Sequence, residues 1–439
     1  MSASLTFTPA VALIDVPRQI VLAGFQPHAE VALTLTSRQA DGRAWRSHTT
    51  YVADAQGSVD VSTQAPVAGG YAGVDGQGPL WSQAALASQD SDAAQVPAPA
   101  TADGAIHTWA TATDTGGNQA SARLEQHYAG PGVARRELRQ DGLVGVLYTP
   151  AGTGPHPAIV VLNGSGGGVN EARAALFASH GYAALALGYF GAPGLPDYLS
   201  DIPLEYFKRA LDWLRDTARP AGDFVAVSGH SRGGELALLL GSVYPQSVSA
   251  VIAYVPSSVV HGVLNAGKPG EGRFKPAWTL DGKPLAHVWE NNAAQDWSAI
   301  DTLPEPRRQA QAFVQAQQDT AAVARARIPV ERIAGPVLLL SAGDDGYWPS
   351  TAYAADVARA LRTTGHPHAV THLDYPAAGH ALQAPYVPTT EIARAHAVSG
   401  IVLSGGGDAH ANARANVDSW AAVRRFLETA VEPRIAAAT

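Results

Sequence analysis

Residues Phe224–Gly241 read FVAVSGHSRGGELALLLG. FVAVS is an apolar run of strand length, and GGELALLLG has the apolar density of a buried helix. Between them, Gly229 and Gly233 stand two residues either side of Ser231. An ordinary turn needs one glycine. A strand-to-helix turn tight enough for neighbouring backbone segments to pass one another needs both, because a Cβ at either place would clash. The residue between them is lifted out of the strand to the start of the helix, where the first N–H groups have no helical acceptor.

The flanking sequence has the rhythm that such a turn requires. HPAIVVLNG, YAALALGYF, DFVAVSG, VSAVIAYVP, GPVLLLSAG and HAVTHLDYP are apolar strand signals, and ELRQDGLVGVLYTP reads as a strand pair before them. Helical stretches alternate with them. NEARAALFASHG closes at Gly181, and PLEYFKRALDWLRDT sets Leu204, Phe207, Leu211 and Leu214 on one face, with Pro203 suited to the first turn. Alternation of this kind predicts crossover helices on both faces of a mostly parallel sheet. Residues 257–330 interrupt it with Phe274, Trp278, Trp289 and Trp297 and a polar helix around RRQAQAFVQAQQDTAAVARA, which reads as a lid or cap insertion.

Residues 1–130 have a different texture. QIVLAGF, EVALTLTS, WRSHTTYVAD, GSVDVST, AIHTWATATD and NQASARLEQHY are short, partly alternating runs bounded by turn residues. They predict an all-β, immunoglobulin-like sandwich with no helix. ALASQDSDAAQVPAPATADG, lacking periodicity, reads as a loop across it. The expected organisation is a 1–130 sandwich followed by a 131–439 catalytic domain of the α/β-hydrolase class.

In that class, Gly-His-Ser-Arg-Gly is a nucleophile elbow. A serine hydroxyl needs a base to take its proton, and the base needs a carboxylate to orient it. The fold supplies them in the chain order Ser, acid, His at the ends of later strands. VLLLSAGDDGYWPS runs into Asp344 and Asp345, and LDYPAAGHAL ends at His380. Asp345, four residues before Pro349, is the expected acid, and Asp344 the expected turn cap. An oxyanion hole needs two preorganised N–H donors. The backbone of Arg232 is one candidate. Ser165 or Gly166, in the glycine-rich loop VVLNGSGGGVNE, is the other. The loop has neither the lysine of a P-loop nor dinucleotide-fingerprint spacing, so a phosphate cradle is disfavoured.

With these motifs in order, the chain resembles the family of acyl-CoA thioesterases and bile-acid-CoA:amino-acid N-acyltransferase over nearly its whole length. GVDGQGPLWS, NGSGGGVNEARAALFASHGYAALALGYFG, LPDYLSDIPLEYFKRALDWL, SGHSRGGELALLLG, IPVERIAGPVLLLSAGDDGYWPS and YPAAGHALQAPYVP carry the likeness. The resemblance implies Ser231, Asp345 and His380 as the triad, and cleavage or transfer of an acyl thioester. Two departures stand out. His230 replaces the small apolar residue often found before the nucleophile. The cysteine nucleophile of the acyltransferase members is absent, which favours water as acceptor.

Composition narrows the alternatives. With 439 residues, 46% of them hydrophobic and only 15% charged, the chain can bury a large core. Its net charge is −8, with no Lys/Arg run, which argues against nucleic acid or a membrane as partner. No cysteine is present, so disulfides and thiolate metal sites are excluded. No cofactor or metal is expected. The N-terminal residues lack a signal-peptide pattern and no run is long enough to cross a membrane, so a cytoplasmic setting is expected. The expected partner is a small-molecule acyl thioester or ester. An esterase or peptidase on small soluble substrates, an acyltransferase using an amine or alcohol acceptor, and a non-catalytic binding module are the competing readings. For a CoA moiety, Lys268, Arg273, Lys275, Arg307 and Arg308 of the insertion are candidate phosphate contacts, though charges on a solvated lid are the simpler and favoured explanation.

Overall fold

Alternating burial builds the first part of the chain. Along Glu30–Arg38, Val31, Leu33 and Leu35 are buried while the residues between them are partly exposed, the period of two that a one-sided sheet imposes. In this computed structural model, which describes residues 2–39, 42–87, 104–272, 274–290 and 297–438, that strand lies inside a seven-stranded sheet. Glu30–Arg38 pairs antiparallel with Ala44–Val52 on one side and Ile106–Asp114 on the other. A three-stranded sheet of Ser4–Thr8, Gln19–Ala23 and Val59–Asp60 faces it. Leu5, Phe7, Ile20 and Leu22 of the smaller sheet share a core with Val31, Leu33, Tyr51 and Leu124 of the larger, which makes the sandwich. One helical turn, Gly78–Trp81, departs from the helix-free expectation; Pro79 sits in its first turn and all four residues are buried, so it is too short to show a period. The loop expected at 85–104 lies, apart from its ends, outside the described residues.

The chain divides into two units, and the first contains more than its N-terminal stretch: residues 1–130, Gln383–Glu391 and Asp408–Val417. Within it, the Thr389 N–H and the Thr390 hydroxyl donate to the carbonyls of Trp81 and Gln83, and Glu391 pairs with Arg43. A cut at residue 130 alone would separate these later segments from the residues they bond.

The second unit, an α/β-hydrolase fold, is organised by an eight-stranded sheet. Its strands are β1 (Ala134–Gln140), β2 (Leu143–Thr149), β3 (Ala158–Leu162), β4 (Ala183–Gly188), β5 (Val225–His230), β6 (Ala250–Tyr254), β7 (Val337–Ala342) and β8 (Val370–Tyr375). Their spatial order is β1-β2-β4-β3-β5-β6-β7-β8. The pairs β1–β2 and β2–β4 are antiparallel, and the rest are parallel. Strands β3, β4, β6 and β7 are buried at every residue, which is how a parallel sheet covered on both faces reads. The edge strand β8 is only partly buried, unlike the apolar core strand its sequence suggests.

Crossover helices Glu171–Ser179, Leu204–Ala218, Arg232–Val243 and Ser350–Thr363 connect the parallel strands. Leu204, Phe207, Leu211 and Leu214 are buried together on the second of these. Pro203 is its extended N-cap, one residue before the first turn.

Between β6 and β7 the insertion has a core of its own, in which Val288, Trp289, Trp297 and Phe313 pack with Trp348 and Tyr353. Trp278 is fully buried, whereas Phe274 is 49% exposed. The single polar helix expected there is two, Ala310–Ala316 and Thr320–Ala326. Asp319 ends the continuity by capping the second, accepting from the Ala322 N–H at 2.9 Å. Among the described residues no helix is long and apolar enough to cross a membrane.

Candidate active site

At the end of β5 the chain turns within one residue. Ser231 has φ 59° and ψ −120°, a left-handed value that a non-glycine residue adopts only under constraint, and helix Arg232–Val243 begins immediately after it. The Ser231 N–H donates to the Tyr254 carbonyl at 2.9 Å, and the Ser231 carbonyl accepts from Gly234 and Glu235 at 2.8 and 3.0 Å. A Cβ at Gly229 would stand 1.9 Å from the Gly233 carbonyl oxygen, and one at Gly233 would stand 2.4 Å from that of Asn163. Both glycines are therefore fixed by backbone contacts.

The glycine-rich loop after β3 comes up against this turn. Gly164 lies so close that a Cβ there would be 3.3 Å from Ser231 Cβ. The loop is braced by the Tyr189 hydroxyl donating to Asn163 O at 2.7 Å and by Gly168 N–H donating to Phe190 O at 2.9 Å. Ser165 lines a small cavity together with Ser231 and Arg232; Gly166 is exposed and does not line it.

His380 follows β8 in the loop Ala377–His380. Its Nδ1 is 2.9 and 2.8 Å from the two Asp345 oxygens, and both side chains are buried. Asp345 Oδ1 also accepts from the Tyr347 and Trp348 N–H groups at 2.9 and 3.3 Å, which fixes the carboxylate. The imidazole stacks on Tyr347 with ring centroids 4.4 Å apart, and Tyr347 lines the cavity that Ser231 opens into. His380 Nε2 is buried and meets no hydrogen-bond partner among the described residues, Ser231 Oγ included, so it is the ring nitrogen left to take a proton. Asp344 is turned elsewhere. It pairs with Arg308 at 2.6 Å and accepts from Gly407 N–H at 2.7 Å, and Arg308 holds its carboxyl below the usual range.

His230 packs its ring 5.2 Å from that of His380, and its Nε2 lies 2.9 Å from the His380 carbonyl oxygen. That contact requires Nε2 to carry the proton and donate. Burial, reinforced by the neighbouring His380, pushes the His230 pKa down to about 3, so the ring is neutral and serves to hold the His380 backbone.

Beneath the elbow lies a buried polar network with no counterpart in the sequence expectations. Glu235 is fully buried and accepts from Arg232 at 3.1 Å, Trp278 Nε1 at 3.0 Å and His261 Nδ1 at 2.9 Å. Arg232 also donates to the His261 and Gly262 carbonyls. Burial pushes the Glu235 carboxyl up, but Arg232, His261 and Trp278 outweigh it and keep the group ionised. The network ties the Arg232 guanidinium to Glu235 and to two carbonyls of the insertion, while its backbone N–H lies in the first turn of the helix.

A second unforeseen residue is His396, in the connection between the short strands Ala393–Ala395 and Val402–Ser404. It is buried, lines the cavity, and its Nε2 lies 3.0 Å from Ser165 Oγ. Nothing in RAHAVSG distinguishes it from the other fourteen histidines of the fifteen present; only tertiary proximity marks it.

The cavity is about 30 Å³, room for a water but not for an acyl chain. Asn265 and Gln309 of the insertion both line it and are joined by a 3.0 Å hydrogen bond. The basic candidates of the insertion are engaged: Lys268 and Lys275 with Glu271, Arg307 with Glu305, and Arg308 with Asp344. Arg273 lies outside the described residues. Among the described residues no group of three His, Asp or Glu side chains is placed to hold a metal.

Family models match both parts of the chain. One described as BAAT / Acyl-CoA thioester hydrolase C terminal covers residues 202–433, and one described as Acyl-CoA thioester hydrolase/BAAT N-terminal region covers residues 15–140. Acyl-coenzyme A thioesterase 6 of Mus musculus is 30% identical over 441 residues, spanning 98% of this chain and 97% of the relative. Acyl-coenzyme A thioesterase 1 of Homo sapiens is 30% identical, spanning 97% and 96%. The mitochondrial acyl-coenzyme A thioesterase 2 of Homo sapiens is 29% identical, spanning 97% and 84%.

Proposed function

Since the chain belongs to the acyl-CoA thioester hydrolase/BAAT family, we propose that it hydrolyses small-molecule acyl thioesters, acyl-CoA or a carrier-bound acyl group, through an acyl-Ser231 intermediate. One observation carries the mechanistic part. His380 has Nδ1 tied to Asp345 and a buried Nε2 with no partner among the described residues, and Tyr347, which stacks on its ring, lines the cavity together with Ser231.

In the first half-reaction His380 Nε2 takes the Ser231 hydroxyl proton as Oγ bonds to the thioester carbon and the carbonyl electron pair moves onto oxygen. The Arg232 backbone N–H, with a donor from the Ser165–Gly166 loop, faces the charge that develops there. The tetrahedral adduct then collapses. The C–S bond breaks, and the departing sulfur takes the proton from His380. In the second half, His380 deprotonates a water that attacks the acyl ester. The carboxylic acid leaves, and Ser231 regains its proton. Asp345 holds the imidazole in the tautomer that can accept.

Ser231→Ala with an acyl-CoA series, matching oxygen esters and a carrier-bound acyl group tests the reading. Thioester turnover by the native enzyme, lost by several orders of magnitude in the folded variant, is expected. Near-native turnover by a clean Ser231→Ala preparation would remove Ser231. A preference for oxygen esters would shift the substrate class to the esterase alternative. A dominant amide product with glycine or taurine present, seen by mass spectrometry, would make the enzyme an acyltransferase.

A further inference from the structure

We propose that the Ser165 hydroxyl is a side-chain donor to the substrate carbonyl oxygen at this site, and that His396 is the positioning residue that aims it. The proposal rests on the acyl-transfer reading above and adds a group to it.

The tautomer of His396 follows from its neighbours. Its Nδ1 accepts from the Val398 and Ser399 N–H groups, each at 3.3 Å. A ring nitrogen that accepts cannot carry the proton, so the proton is on Nε2. Nε2–H therefore donates to Ser165 Oγ at 3.0 Å. The backbone beneath the ring is held as well, since His396 N–H donates to Ile401 O at 2.9 Å and its carbonyl accepts from Gly400 N–H at 2.8 Å. Burial, with Arg232 nearby, pushes the His396 pKa down to about 4, so the neutral form with a single ring proton persists at neutral pH.

A hydroxyl oxygen that accepts from His396 still has its own hydrogen to place. That hydrogen points away from the imidazole, and among the described residues it meets no acceptor. Ser165 and His396 line the same cavity as Ser231 and Arg232. Ser165 also follows Gly164, whose missing Cβ lets the loop sit against Ser231. A carbonyl attacked by Ser231 therefore places its oxygen, as negative charge gathers on it, among the Arg232 N–H, the loop backbone and this hydroxyl. A donor that meets the oxygen more strongly in the tetrahedral state than in the substrate raises kcat.

The test uses full-length protein. Ser165→Ala is expected to lower kcat/KM for acyl-CoA by about 100-fold. It should weaken a trifluoromethyl ketone acyl analogue, which forms the tetrahedral adduct, by the same factor. Binding of an S-alkyl-CoA thioether, which has no carbonyl, should be unchanged. Ser165→Thr should restore most of the rate. His396→Ala should fall in the same direction, and the double variant should be no slower than Ser165→Ala, because His396 acts through Ser165.

An unchanged kcat/KM in Ser165→Ala would overturn the proposal. So would equal losses for the ketone and the thioether, or additive losses in the double variant. If His396→Ala does not fold, Ser165→Ala and Ser165→Thr decide alone. Complete fluorophosphonate labelling of Ser231 in native protein separates this outcome from failure of the nucleophile assignment, which would show as no labelling at all.

Discussion

Replacing Asp345 by asparagine is a sharp test of the charge arrangement, because the substitution exchanges one carboxylate oxygen for an NH₂ and leaves the shape alone. Asp345 Oδ1 accepts from two backbone N–H groups, Tyr347 at 2.9 Å and Trp348 at 3.3 Å. In Asp345→Asn the amide oxygen must stay with those donors, since an NH₂ there would face two N–H groups. The NH₂ is then forced toward His380 Nδ1. Nδ1 becomes an acceptor, the imidazole proton moves to Nε2, and Nε2 can no longer take the Ser231 proton. In Ser–His–Asp enzymes a wrong tautomer of this kind costs about 10⁴ in kcat, which corresponds to about 5.4 kcal/mol of barrier. The fold should survive, because the bonds from Tyr347 and Trp348 are kept. Steady-state thioester hydrolysis and urea denaturation of the same preparations measure both parts. Asp344→Asn is the control. It weakens a half-exposed pair with Arg308, worth at most about 1 kcal/mol, and should leave kcat within a few-fold. Activity of Asp345→Asn within tenfold of native, or a larger loss in Asp344→Asn, would refute the reasoning.

Three further outcomes are expected. Gly229→Ala would set a Cβ 1.9 Å from the Gly233 carbonyl oxygen, so it should yield no folded protein that labels at Ser231; a stable, labelling variant would contradict the elbow geometry. Glu235→Ala leaves the Arg232 guanidinium buried without its carboxylate, and should cost about 3–5 kcal/mol in urea unfolding; a loss under about 1 kcal/mol would show that the network carries no such weight. His230 and His396, with pKa values depressed to about 3 and about 4, remain neutral in the fold while the unfolded chain protonates its histidines near pH 6.5. The unfolded state then binds more protons, so stability should fall as pH drops from about 6.5 toward 4. His230→Gln, which keeps a donor for the His380 carbonyl, should flatten that slope by up to one proton, and an identical slope would count against the buried neutral ring.

How much of this could be read beforehand depended on the distance between partners in the sequence. The Gly229–Ser231–Gly233 turn is local, so its spacing alone exposes it. The parallel strands are legible because burial on both faces leaves an unbroken apolar run. Pro349 points to Asp345 over Asp344, and the fold brings Asp345 to His380 while Asp344 meets Arg308. Glu235 was invisible in GGELALLLG: one carboxylate in an apolar helix looks like a surface residue until Trp278 and His261, 43 and 26 residues away, are found against it. His396 lies between strands of three residues, too short to show a period. The grouping of Gln383–Glu391 with the N-terminal sandwich rests on bonds spanning more than 300 residues, such as Thr390 to Gln83, and no window along the chain contains both ends.

The Arg232–Glu235 network also dictates which parts of the insertion can be exchanged. Arg232 holds the first residues of the insertion by their carbonyls, and Trp278 reaches the same carboxylate from further along. A chimera that imported a foreign cap from residue 257 onward would sever all of these links at once and leave the buried Arg232–Glu235 pair without its other partners. One whose junction fell after Trp278 would keep them. The outer segment, around Gln309 and Phe313, is therefore open to recombination, while the inner segment is inherited together with Ser231. Substitutions at Arg232, Glu235, His261 and Trp278 should accordingly be tolerated in concert and seldom one at a time.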